Sequence, residues 1–239
     1  MSEHISRKEL KQDKIRESIE HGAEAILSHK AFAAVLLAVV AAAVLVAGGW
    51  RIYTERRDMK ASAAMDEAMK AYNARVLMPG QPAEAGELTY LNDTDKMQDA
   101  AAKFGAVGDK YPNSNPGRLA RYYAALSYEA LDRTNQALES LKKLDGTSDK
   151  ELAALARYQA AQIYGRTGKS DEAIKIYRDL AEKNSVFVPR GLVLLELASQ
   201  LRSSNPKEAA DVYARIKREF PDTQLAEEAD RGLELLPKS

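Results

Sequence analysis

Leu119–Tyr128 reads LARYYAALSY and Leu155–Tyr164 reads LARYQAAQIY; seven of ten positions are identical at a distance of 36 residues. Self-similarity at a period of 20–50 residues is the signature of a solenoid, in which each unit is too small to bury its own apolar face and stacks on its neighbours. The spacing within each stretch, apolar or small residues three and four apart, is that of a helix.

A second helix follows each copy. Its marks are Ala100, Phe104 and Val107, then Ala137, Leu141 and Leu144, then Ala173, Tyr177 and Leu180, then Ala209, Tyr213 and Ile216. The alanines recur at 37, 36 and 36 residues, and each series steps by four and then three, the seam of an amphipathic helix. The small residue lets two helices approach and the large one fills the groove between them. Pro112 and Pro221 stand where a helix must end. These residues, with Ala125–Tyr128 and Ala161–Tyr164 on the first helices, resemble tetratricopeptide repeats. The chain departs from that pattern where Arg121 and Arg157 replace a first-helix Trp, and where Gln200 stands for Tyr in the fourth unit. The expected fold is all-α, with one N-terminal transmembrane helix, a tetratricopeptide-type α-solenoid of about four helix pairs and a capping helix.

Upstream, Ala31–Trp50 (AFAAVLLAVVAAAVLVAGGW) carries no charge over twenty residues. At 1.5 Å per residue it spans about 30 Å, the thickness of a bilayer's hydrocarbon core. Its nine Val, Leu and Phe residues contribute about −3 to −5 kcal/mol to insertion. A core helix would have a polar face, and a cleaved signal peptide would have a short basic lead and a shorter apolar run; here thirty mostly polar residues come first. Lys11, Lys14, Arg16 and Lys30 on one side balance Arg51, Arg56, Arg57 and Lys60 on the other, so charge leaves the orientation open. The expected layout is a polar helical segment over 1–30, with Ile15, Ile19, Ala23 and Ile26 on one face, and the transmembrane helix over 31–50. Then come a linker helix and the first helix of repeat one over 51–78, marked by Met65, Ala68 and Tyr72, and a loop insertion over 79–93. Repeats fill 94–220, and a capping helix with Leu225, Ala229, Leu233 and Leu236 occupies 221–239.

Composition narrows the function. The chain has 35 basic and 35 acidic residues, and beyond residue 50 the balance is 29 against 29, so nothing suggests a nucleic-acid footprint. There is no Cys, and His4, His21 and His29 all precede the apolar run, so the repeats lack the commonest general base and metal ligand. Gly165–Ser170 (GRTGKS) has Ile163 where a phosphate-binding loop needs Gly, and reads instead as a turn between helices with Gly168 closing the first. No catalytic residue, cofactor, metal or small-molecule substrate is expected.

In a stack of helix pairs the first helices line the binding groove. Leu119, Tyr122, Leu126 and Glu129 should face it from one unit, and Leu155, Tyr158, Gln162 and Arg166 from the next. Tyr and Arg are favoured anchors, although the two tyrosines could instead fill contacts between repeats.

The span ending in Gly49-Trp50-Arg51, followed by Ala63, Ala64, Ala68 and Tyr72, resembles the ancillary SecYEG translocon subunit family of bacterial inner-membrane proteins over roughly 31–220. The resemblance implies a cytoplasmic N-terminus, periplasmic repeats, and translocon subunits, periplasmic chaperones or client chains as partners. The alternative is a scaffold for envelope assembly or cell division, whose repeats also end in pairs such as Tyr111-Pro112 and Phe220-Pro221.

Overall fold

The computed structural model describes residues 30–183 and 185–237. The expected helix over residues 1–30 therefore lies, except for Lys30, outside the described residues. The chain divides at Arg57 and Asp58 into two units. The first holds the apolar part of helix α1 (Lys30–Asn73). Its apolar side chains are turned outward, with Leu37 and Leu45 about three-quarters exposed at 75% and 76%. It is one helix long and apolar enough to cross a membrane.

The second unit begins with the remainder of α1, which buries Ala61, Met65, Ala68 and Ala71. Strand β1 (Arg75–Val76) then pairs in parallel with β2 (Thr89–Tyr90). The segment expected as a plain loop over 79–93 is thus drawn back onto the end of α1, and Leu77 donates to the Tyr90 carbonyl at 2.9 Å. The first helix of repeat one ends at Asn73, short of the expected residue 78. Helices α2 (Asp93–Lys110) and α3 (Asn115–Ala130) follow, then α4 (Thr134–Lys142) and α5 (Lys150–Arg166). The chain continues through α6 (Ser170–Ala181), α7 (Arg190–Ser204), α8 (Pro206–Glu219) and α9 (Gln224–Glu234).

Side-chain caps start five of these helices. Asn92, Ser114, Asp149, Asn205 and Thr223 each accept a hydrogen bond from the backbone N–H three residues on. Each cap contributes about 1 kcal/mol. At Tyr111 and Phe220 the last backbone N–H closes onto Val107 and Ile216, and a proline follows at once.

The core is a chain of three clusters. One joins α1, α2 and α3 around Phe104, the next joins α3, α4 and α5 around Leu141, and the third runs from α5 to α9 around Tyr177. A first helix belongs to two clusters at once. Helix α3 gives Ala120 and Ala124 to one and Ala125 to the next; α5 gives Ala156 to the second and Ala161 to the third. Small residues on two sides of one helix let both neighbours approach, which is how stacked pairs bury a continuous core. All twelve second-helix seam residues, from Ala100 to Ile216, are at most 4% exposed. Leu144 is among them although α4 stops at Lys142, because its N–H donates to Leu141 and the turn keeps the side chain inward.

Glycines set the closest helix approaches. A Cβ on Gly117 would lie 1.8 Å from the Tyr111 carbonyl oxygen, and one on Gly232 would lie 2.3 Å from the Tyr213 ring. The GRTGKS stretch is the turn between α5 and α6: Gly168 has φ +77°, and Lys169 N–H closes onto the Tyr164 carbonyl at 2.9 Å. That is the left-handed helix stop for which glycine carries no steric cost.

Candidate protein-binding face

The face carried by the first helices is built from positions three and four apart on α3, α5 and α7. Leu119 and Arg166 are exposed there, and Tyr122, Leu126, Glu129, Leu155, Tyr158 and Gln162 are half-buried. The two tyrosines hold equivalent repeat positions and have different neighbours. Tyr122 meets Tyr123 edge to face at 6.1 Å, and Tyr123 in turn stacks on Phe104 at 5.3 Å and touches Tyr72 at 5.6 Å. Tyr158 meets the buried Tyr177 of α6 at 5.9 Å. Each ring therefore has one edge in a core cluster and the rest of its surface outside it. Burial, reinforced by the Glu129 carboxylate, pushes the Tyr122 phenol up; burial and Glu196 do the same to Tyr158. Both remain neutral hydroxyls, able to donate and to accept.

Polar contacts tie α3 to α5 across this face. Glu129 accepts from Gln159 Nε2 at 2.6 Å and pairs with Arg166. The arginine side chain is 62% exposed, so the pair is a rim contact of small energetic weight. At the next junction α7 comes close to α5, because Gln200 lies where a Cβ on Gly165 would be (2.5 Å from its Nε2). The polar residue at the tyrosine position of repeat four thus packs over a glycine.

Two groups missed by the sequence reading lie here. Glu196 is the one charge in the run from Gly191 to Ala198, and that isolation was a legible signal. It sits half-buried on α7, and burial pushes its carboxyl above the usual range. Its charge acts on Tyr158, Tyr177 and Tyr213. Among the described residues it makes no hydrogen bond or ion pair. The Tyr177 hydroxyl beside it is buried without a partner. The half-buried Glu196 carboxylate, a strong acceptor at the α5–α7 junction, suits an N–H group of a bound chain, while the Tyr177 hydroxyl lies beneath it in the core. Glu196 and Arg202 also border a cleft of about 300 Å³ that reaches to Arg231 on α9. Among the described residues no group of three or more His, Cys, Asp or Glu is placed to hold a metal.

Comparison with known proteins agrees with this architecture. The chain is similar to solved tetratricopeptide-like repeats described as a kinesin light chain from Podospora anserina: TM-score 0.52, 12% identity, covering 74% of this chain and 84% of that one. At that identity the likeness is one of fold. No curated protein matches the sequence. The family profile of the tetratricopeptide repeat-like domain matches residues 29–187, which takes in the apolar helix together with the pairs through α6. Covering well over half of the chain, that match places it in the tetratricopeptide repeat-like domain family.

Proposed function

We propose that the protein is a membrane-anchored scaffold for protein–protein interaction that works as an accessory factor at the Sec translocon, linking emerging chains to periplasmic chaperones. In this reading residues 31–50 cross the bacterial inner membrane once, the N-terminus is cytoplasmic and the repeats are periplasmic. The observation that carries it is the pairing, inside one family match, of an outward-facing apolar helix with tetratricopeptide-like repeats. Exposed Leu and Val side chains along some 30 Å of helix are what a lipid environment solvates and water does not. Tetratricopeptide folds typically bind other proteins and carry no chemistry of their own. Partner chains are placed on the first-helix face, at Leu119, Tyr122, Leu126 and Glu129 and at Leu155, Tyr158, Gln162 and Arg166.

Two measurements test this. A reporter active only in the periplasm, fused after Ser239, should be active; cytoplasmic activity would overturn the orientation. A photo-crosslinker at Leu119 or Tyr122 in native membranes should capture translocon subunits, chaperones or translocating chains. Capture confined to outer-membrane assembly or division factors would replace the translocon role with an envelope-assembly scaffold.

A further inference from the structure

The repeats differ where Arg stands for the first-helix Trp. In repeat three, Arg157 on α5 pairs with Asp179 on α6, which Lys183 also contacts at 2.7 Å. Thirty-six residues earlier the same two positions hold Arg121 and Lys143. The carboxylate that neutralises the arginine in one repeat is an ammonium in the other.

Lys143 has its own partners, Asp109 and Glu139, each at 3.6 Å. Arg121 has none among the described residues: no hydrogen bond and no ion pair, with its Nε buried and unsatisfied. Arg118, one turn earlier on α3, reaches only neutral acceptors, the Asn113 carbonyl at 2.7 Å and the Asn115 side chain, and its Nε is buried and unsatisfied as well. Both arginines line a cleft of about 400 Å³ at the α3–α4 edge, together with Lys143, Asp145, Thr147 and Ser148. Asp145 is the one carboxylate in that lining. The fold makes room for the arrangement. A Cβ on Gly108 would sit 2.6 Å from Arg121 Cγ, so the arginine stem lies directly over the glycine of α2.

Two half-buried guanidinium groups side by side, neither in an ion pair, are best matched by a carboxylate that both can hold, since its two oxygens suit their fork of N–H donors. We infer that this cleft is a second recognition site, separate from the first-helix face, that takes a carboxylate from an acidic segment of a partner protein. Asp145 opposes a doubly charged phosphate more than a singly charged carboxylate, and Asn113, Thr147 and Ser148 supply neutral groups suited to a peptide backbone.

The test uses the full chain in detergent and two labelled hexapeptides, one of alternating Glu and Gly and one of alternating Gln and Gly, read by fluorescence anisotropy at low and physiological salt. The Glu peptide should bind at least about tenfold tighter than the Gln peptide, the equivalent of one charge-assisted contact. The advantage should shrink with salt. Arg118→Gln with Arg121→Gln should remove it while the helical circular dichroism is retained. Asp145→Asn, which leaves both arginines in place, should tighten binding severalfold and guards against a misfolded arginine variant. Equal binding of the two peptides, a Glu preference that survives loss of both arginines, or an unchanged affinity in Asp145→Asn would each overturn the site. Inorganic phosphate displacing the Glu peptide at lower concentration than free glutamate does would assign the cleft to phosphate instead.

Discussion

Replacing Gly117 by Ala tests the helix packing most directly. The new Cβ would lie 1.8 Å from the Tyr111 carbonyl oxygen, 2.6 Å from its carbon and 3.0 Å from Ser114 Oγ. A carbon and a carbonyl oxygen ordinarily rest at about 3.3 Å or more, so the backbone must move by roughly 1.5 Å. What would yield is the Tyr111–Ser114 turn. That movement breaks the cap from Ser114 Oγ to Gly117 N–H (3.0 Å) and disturbs Tyr111, which is buried against the α1–α3 core. Overpacking costs about 1–3 kcal/mol and a lost cap about 1, against a gain of about 0.5–1 from replacing a helical glycine. The net is a destabilisation of about 1–3.5 kcal/mol. Gly105 on α2 is the control, because a Cβ there meets no atom within 4 Å. Gly105→Ala should stabilise by about 0.5–1 kcal/mol. Hydrogen exchange of the full chain in detergent gives the readout. Amides of α2 and α3 should lose roughly fivefold or more in protection in Gly117→Ala and gain a fewfold in Gly105→Ala. In a solenoid the loss should fade along the stack, leaving α7–α9 nearly untouched. Shifts of the same sign in both variants, or wild-type protection in Gly117→Ala, would refute the packing described for α2 and α3.

Three further outcomes are expected. Asp132 holds φ +56° where the next repeat has Gly168, so Asp132→Gly should stabilise by up to about 1 kcal/mol, seen as a higher thermal midpoint. The Glu196 carboxyl titrates higher in the folded chain than the ordinary 4.5, so its ionisation opposes folding: the penalty is absent at pH below 4.5 and develops fully as pH rises past the folded value. Glu196→Gln should therefore raise the midpoint at neutral pH and leave it unchanged at pH 4; a lower midpoint at neutral pH would contradict this reading. Glu151 has the opposite sign, because Ser185 Oγ and the Phe187 and Val186 N–H groups hold its carboxyl below 4.5. Its support is present above 4.5 and is lost as pH falls through the lowered value, and Glu151→Gln should speed exchange of the Val186 and Phe187 amides at neutral pH.

What the sequence made legible was whatever every repeat does alike. The Ala–aromatic–apolar steps located the second-helix seams because each of those residues fills the same groove four times over, and all are buried. Gly168 was readable because a left-handed helix stop is local, needing only the residues beside it. The extent of α4 was not, since a turn carries Leu144 inward as well as a helix would. Nor was the β1–β2 pairing, which joins two-residue segments across a long turn-rich insertion. Glycines at close approaches stayed hidden for a related reason: Gly191 lies against Leu225 and Gly232 against the Tyr213 ring, partners that lie on other helices.

The candidate sites follow from that asymmetry. A period reports the average unit, and a partner reads how one unit differs from the next. Tyr122 and Tyr158 share a repeat position, yet one joins an aromatic group with Tyr123 and the other abuts an unpaired Tyr177 hydroxyl near Glu196. Arg121 and Arg157 also share one, yet only Arg157 has its carboxylate. In an array whose units contact only their neighbours, such a difference is cheap to hold, because its cost stays within one junction. An arginine left without its carboxylate there is more informative than any feature the repeats have in common, because the neighbouring repeat shows the pairing it lacks.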